Sequence, residues 1–403
     1  MKILAVFGRA ESYEEANFEI GDSVFSTRFV TEALRRYFGN GAEVLIFAPS
    51  SLLELYGGIK GFESKLKEKG HKGFRIFEIP SLGNWAKFSD VVASIFLKLV
   101  EERPENIIVN ITTGLNIYTF ALVDAVRRYA AYKQFERILQ GGVFEVKVAS
   151  HPPPKTSEVL KVELYDLPVM TFFSFPETDL DKLYEGNGKR VGEIGKRYAD
   201  VKKEFREFLK WLRIAFNSIR YNIPLAFYEV LKLDADPEKI EEEILAYCNE
   251  YLKNKINLDL RKVTNAFYAI AMLRSFREFM NSLKEPSTDE IKERFFEVYK
   301  NSRLGLGVNC YFLQNDIERI ESLAASCHFE GKKTILELEH SNSESRSTKG
   351  SKGFSKDMKR NFFAHSGFLK EWTEVEFTGK KILLSWKKEH LKKIVDWILE
   401  PEY

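Results

Sequence analysis

NIIVNITTGLNIYTFALVDAVRRYAAYKQF, residues 106–135, carries two periodicities in one stretch. Residues 106–112 form a short apolar run rich in β-branched side chains, the signature of a strand buried on both faces. From Asn116 onward apolar residues return every three or four positions, which gives a helix one buried stripe. A buried strand that passes through T-T-G-L-N into a helix is the building unit of a parallel, helix-covered sheet.

The same unit repeats toward the amino terminus. KILAVFG (2–8), EVLIFAP (43–49) and FRIFEIP (74–80) read as three further strands, and VFSTRFVTEALRRYF (24–38) and SDVVASIFLKLVEER (89–103) as helices between them. VFEVKVAS (143–150) and EVLKVELYDL (158–167), on either side of the proline-rich HPPPKTS, predict a closing antiparallel hairpin at the sheet edge. Residues 1–167 are therefore expected to form an α/β Rossmann-like domain. Beyond them the pattern changes to helix: 191–219, 237–255, 258–283 and 287–304 all repeat at the 3.6-residue period, with cap chemistry at Asp236-Pro237 and Ser287-Thr288-Asp289-Glu290. WTEVEFTGKKILLSW (372–386) interrupts this α-helical second domain, 168–403, with a small β-hairpin.

Composition narrows the class. A chain of 403 residues, 44% hydrophobic, is large enough for more than one core, and no apolar run approaches the ~20 residues needed to span a bilayer. The amino terminus turns acidic where a secretory signal would place its cleavage region, so a soluble cytoplasmic protein is expected. Cys248, Cys310 and Cys327 are too widely spaced for a disulfide framework or a C-x-x-C metal site, and free thiols are expected. Net charge is only +2, which says nothing about nucleic acid.

Two loops fall where an open parallel sheet binds ligands, beyond the carboxyl ends of its strands. In FGRAESYEEANF (7–18), Gly8 allows close backbone approach, Arg9 can pair with phosphate and Tyr13 offers a stacking face. In NITTGLNIY (110–118), Thr112, Thr113 and Asn116 set hydroxyl and amide groups around Gly114. A strand ending in T-T-G-L-N also serves as a capped helix start, and spacing does not separate the two readings. Neither loop is a dinucleotide fingerprint or a Walker A sequence.

KRNFFAHSGF (359–368) holds the strongest chemistry of the second half. Arg360 and His365 lie five residues apart, about 140° around a helix, so one copy grips a phosphate poorly and two copies related by a two-fold axis would combine their groups. The bland alternative pairs Arg360 with Asp357 and has His365 bind terminal carbonyls, with Gly367 as a left-handed cap. Local charge favours the first reading: residues 341–370 carry seven Lys or Arg against two acids, a basic lip suited to single-stranded RNA. His328 and His340 stand alone without ligand partners at metal spacing. The late tryptophans, Trp372, Trp386 and Trp397, read as packing beneath the hairpin.

GRAESYEEANF and NITTGLNIYTF resemble the two signature loops of a CARF (CRISPR-associated Rossmann fold) domain, and RNFFAHSGF resembles the R-x(4-6)-H motif of HEPN ribonucleases. Their order resembles that of the CARF–HEPN effector ribonucleases of type III CRISPR systems, over essentially the whole chain. The resemblance implies a homodimer that binds cyclic oligoadenylate, with cyclic tetra-adenylate the expected ring, across its CARF face. It also implies cleavage of single-stranded RNA in a HEPN cleft without a metal cofactor, leaving 2′,3′-cyclic phosphate ends. Gly8, Arg9, Tyr13, Thr112, Thr113, Gly114 and Asn116 would surround the activator, and Arg360, Asn361 and His365 would be catalytic. Many relatives carry histidine at the Thr113 position and tryptophan at Tyr13, which leaves ring size and slow cleavage of the activator by the first domain open. The alternative is a ligand sensor whose helical half binds nucleic acid or a partner protein without cutting.

Overall fold

The computed structural model describes all residues except 40, 84, 113–115, 153–158, 186–188, 328, 344–355, 380 and 402–403. The first half runs β1 (Lys2–Val6), β2 (Ala16–Ile20), β3 (Ser23–Thr27), α1 (Val30–Phe38), β4 (Glu43–Pro49), α2 (Ser50–Glu54), α3 (Ile59–Glu68) and β5 (Phe74–Ile79). It continues with α4 (Phe88–Glu102), β6 (Ile107–Asn110), α5 (Asn116–Phe135), β7 (Val146–Ser150), β8 (Leu160–Lys161) and β9 (Glu163–Asp166). The main sheet has the order β5-β4-β1-β6-β7-β9, parallel except for the antiparallel edge strand β9. Alternate residues of each strand feed separate cores: Leu4 and Val6 face α4 and α5, while Ile3 and Ala5 face α1 and α3. This sheet is the expected Rossmann-like domain.

Three local expectations are corrected. The helix expected over 24–38 begins only at Val30; Ser23–Thr27 is a strand paired with β2 through the two-residue loop Gly21-Asp22, where Gly21 takes φ +59°. Gly-Asp between alternating apolar residues is a tight-hairpin signal, and it outweighs the helical spacing that Phe25 and Phe29 share with α1. In the predicted closing hairpin, β7 does pair with β9, but β8 leaves to extend the small β2–β3 sheet. Finally, the helix expected over 191–219 breaks at Tyr198.

The second half comprises α6 (Lys189–Arg197), α7 (Ala199–Arg220), α8 (Ala226–Glu229), α9 (Pro237–Lys253), α10 (Leu260–Ser282), α11 (Thr288–Tyr299) and α12 (Val308–Ser326). After these come β10 (Lys332–Thr334), α13 (Ile335–Ser343), α14 (Lys356–Ala364), β11 (Thr373–Thr378), β12 (Lys381–Trp386) and α15 (Leu391–Leu399). Asp236 caps α9 through the N–H groups of Glu238 and Lys239, and Ser287 caps α11 through Glu290. The predicted hairpin is β11–β12, with β10 as a third strand. Among the described residues no helix is long and apolar enough to cross a membrane.

The two halves share one hydrophobic core. Phe96 of α4 meets Phe267 of α10, and Phe135 of α5 meets Tyr268, with ring centroids 5.6 and 5.0 Å apart. A charged cluster lies beside these rings. Arg274 of α10 donates to the Tyr132 hydroxyl (2.5 Å), Glu136 (3.0 Å) and Glu241 of α9 (2.7 Å), while Tyr132 donates to Glu241 (2.6 Å) and Arg103 pairs with the same carboxylate.

Another buried polar group sits under the first sheet. His71 is enclosed by Phe7, Phe29 and Phe74, with Nε2 2.8 Å from the Thr31 hydroxyl and Nδ1 4.0 Å from the Glu32 carboxylate. Burial pushes its imidazole down to about 4, against the opposing pull of Glu32. The unfolded chain takes up this proton near the ordinary histidine value of about 6.5, before the folded one does, so stability is whole above that value and falls as pH drops toward 4. Urea unfolding at pH 7 and pH 4.5 is expected to show a loss on the order of 2 kcal/mol that His71→Gln lacks. Equal pH slopes for the two proteins would refute the assignment.

Candidate active site and ligand loops

The helix α14 is held by one face and offers the other. Phe362 is fully buried against Trp386 and Trp397 (centroids 5.9 and 5.6 Å), Phe363 packs edge-on to Tyr221 of the segment after α7, and the Lys359 ammonium bonds the Glu400 carbonyl. Arg360 and Asn361 are thereby turned to solvent. Arg360 is exposed and its planar fork suits an anion; the side chain of Asp357, its partner in the bland alternative, lies outside the described residues.

The end of α14 is shaped by two consecutive left-handed residues, Ser366 (φ +51°) and Gly367 (φ +78°). The Gly367 N–H reaches back to the Phe362 carbonyl at 2.8 Å, closing the helix, and its own carbonyl accepts from the Trp386 indole at 3.0 Å. A Cβ on Gly367 would stand 2.7 Å from the Ile223 side chain, so the position has room only for glycine. The left-handed turn expected at Gly367 is present, but Ser366 shares it, and a non-glycine residue there is strained by about 1–3 kcal/mol.

That strain is held by a polar chain the sequence did not disclose. Ser366 Oγ donates to Asp316 Oδ2 (2.6 Å) and accepts from Asn222 Nδ2 (2.8 Å). The other Asp316 oxygen lies 3.3 Å from His365 Nδ1. Instead of binding the helix-end carbonyls, His365 leans on a carboxylate from α12. Asp316 is 14% exposed and the His365 side chain 44%, so the carboxylate is shielded behind an accessible imidazole.

At the other site, β1 and β6 are neighbours with Lys2 opposite Ile107 and Leu4 opposite Val109, so their following loops leave the same sheet edge side by side. From β1 the chain goes on to β4 and from β6 to β7, in opposite directions across the sheet, which makes this the topological switch point. Gly8, Arg9, Thr112 and Asn116 all lie at that edge. Arg9 and Asn116 are exposed. The Thr112 hydroxyl donates to the buried Asn110 side chain (2.7 Å), a residue unread in the sequence that fixes the start of the loop. Thr113 and Gly114 lie outside the described residues.

Tyr13 departs from the open stacking face expected of it. Its hydroxyl accepts from the Gly8 N–H at 3.0 Å and its ring packs on Phe7 and Phe29 (5.3 and 5.1 Å), so it buttresses the loop from below. Tyr56 supports the same loop, accepting from the Ala10 N–H at 3.0 Å and donating to Glu11; that hydrogen bond, with the Glu11 N–H, holds the Glu11 carboxyl below its usual range. Beside Asn116 an apolar cleft of about 430 Å³ opens between Ile111, Phe120, Val123, Val148 and Leu167.

Comparison with protein families decides the grouping. The chain matches the family models for the CARF domain (residues 2–153) and the HEPN domain (residues 306–389) of the CRISPR system endoribonuclease Csx1. The chain belongs to the CARF–HEPN effectors of CRISPR systems. The CARF match contains both loops of the switch point, and the HEPN match contains Asp316, Arg360, Asn361 and His365. A CARF–HEPN chain is a ligand-sensing ribonuclease of antiviral defence. No curated protein matches it. Among the described residues no cluster of three or more His, Cys, Asp or Glu side chains could hold a metal ion.

Proposed function

We propose that this CARF–HEPN chain is an endoribonuclease of type III CRISPR defence, switched on by cyclic oligoadenylate, with cyclic tetra-adenylate as the ring, and cutting single-stranded RNA without a metal ion. The observation that carries this reading is the anchored α14, which presents Arg360, Asn361 and His365 at an accessible helix end backed by a carboxylate. In the reaction the ribose 2′-oxygen forms a bond to phosphorus and the bond to the 5′-oxygen breaks, giving a 2′,3′-cyclic phosphate and a 5′-hydroxyl. His365 takes the 2′-OH proton, a protonated imidazole returns one to the 5′-oxygen, and Arg360 stabilises the charge on the five-coordinate phosphorus. Asn361 binds a phosphate oxygen.

Two imidazoles come together when two copies pair. Val308, Tyr311 and Phe312 are exposed on α12, with Phe312 one turn before Asp316, and Ile117 and Phe120 are exposed beside Asn116. Apolar side chains next to both sites suit a two-fold dimer that closes the CARF face and the HEPN cleft together. In the CARF half, Gly8, Arg9, Thr112, Thr113, Gly114 and Asn116 surround the activator: Arg9 pairs with its phosphates and the N-terminus of α5 adds backbone N–H groups.

The test is cleavage of a labelled single-stranded RNA by the purified chain with cyclic tetra- or hexa-adenylate, with and without EDTA, alongside mass measurement in solution. Expected are cyclic-phosphate ends, full activity in EDTA, dependence on the tetra-adenylate ring, and a mass twice the 46.7 kDa of the chain. Strict need for a divalent ion overturns the metal-free mechanism, and absence of cleavage under every activator favours a sensor that does not cut.

A further inference from the structure

We infer that Asp316 is the positioning residue of the cleavage site, fixing which nitrogen of His365 faces RNA. The inference rests on the function proposed above but draws on a separate observation, the polar chain Asn222–Ser366–Asp316–His365. A carboxylate only accepts hydrogen bonds, so the nitrogen next to it, Nδ1, carries its proton in both the neutral and the charged imidazole. Nε2 is then the nitrogen that gains and loses a proton, and it is the one pointing away from Asp316. A free imidazole in water has no such constraint, and its ring turns about its side-chain bonds.

The rest of the chain explains why Asp316 stays in place. Its second oxygen is engaged by Ser366 at 2.6 Å, and Ser366 in turn is held by Asn222 at 2.8 Å. Ser366 and Asn222 both occupy left-handed backbone (φ +51° and +59°), and both are at least 95% buried. Two strained, buried polar residues on separate segments are therefore linked in series to one carboxylate, Asn222 through Ser366, and that carboxylate touches the imidazole. Strain concentrated this way is kept where surrounding contacts over-determine a functional geometry. A capping role alone would need only Ser366 and Gly367; it gives no reason for an aspartate from α12 to meet the ring.

The experiment measures the tautomer of His365 directly, by ring nitrogen chemical shifts in histidine-labelled protein at alkaline pH, with the His365 signal assigned by its loss in His365→Gln. Wild type is expected to hold the proton on Nδ1, and Asp316→Ala to move it to Nε2. In the RNA assay Asp316→Asn, which keeps the volume of the side chain, is expected to lower kcat by about 10²-fold with KM for RNA unchanged. A wild-type His365 protonated on Nε2 overturns the inference even if every Asp316 variant fails to fold. Wild-type cleavage retained in full by a folded Asp316→Asn overturns it too. If wild type cuts no RNA at all, the proposed function fails, while the tautomer measurement still decides whether Asp316 orients the ring.

Discussion

Replacing His365 by alanine is expected to reduce activated RNA cleavage by about 10³-fold while the affinity for cyclic tetra-adenylate stays the same. The magnitude follows from removing the group that moves the proton in the proposed step. The unchanged affinity follows from the fold: His365 closes α14, whereas the candidate ligand loops leave β1 and β6 in the other half. Arg360→Ala is expected to act similarly, and Arg360→Lys to recover only part of the activity, since an ammonium keeps the charge but loses the two-pronged geometry that matches a phosphate. Single-turnover cleavage at saturating activator, with calorimetric binding on the same preparations, checks both. A His365→Ala protein that cuts as fast as wild type would move the reaction elsewhere on the molecule.

What the sequence disclosed and what it hid divide along range of interaction. The central strands are buried on both faces, so EVLIFAP had no competing reading, and Glu43–Pro49 is a strand from end to end. The helix over Asn116–Phe135 was equally plain, although it is buried on several sides between the sheet and α10. Local competition caused the misreading at Val24–Phe29, where helical spacing overlapped a hairpin turn. At the candidate active site, Arg360, Asn361 and His365 are neighbours in sequence, and a short pattern could find them. Asp316 meets His365 across 49 residues and Asn222 meets Ser366 across 144, so no spacing announces either contact. Tyr13 differs in kind: its position beyond the strand was readable, but only packing shows that its ring rests against Phe7 and Phe29.

Glu241 is where the largest loss of stability is expected. Its side chain is 4% exposed and receives Arg103, Arg274 and Tyr132, so one carboxylate from α9 joins α10 to the end of α5, the helix that begins at the ligand edge. Removing it in Glu241→Ala leaves the Arg274 guanidinium, itself only 13% exposed, with Glu136, Glu238 and the Tyr132 hydroxyl, and unfolding free energy should fall by about 3 kcal/mol. Loss of the pair as a whole is a different matter. Burying two charges costs nearly what their attraction returns, so Glu241→Leu combined with Arg274→Met should restore much of the deficit, while Arg103, which is 45% exposed, turns its charge to water. Urea unfolding of wild type, Glu241→Leu, Arg274→Met and the double variant completes the cycle, and a strong favourable coupling is expected. If Glu241→Ala alone costs less than about 1 kcal/mol, the shared apolar core, and not this cluster, joins the two halves.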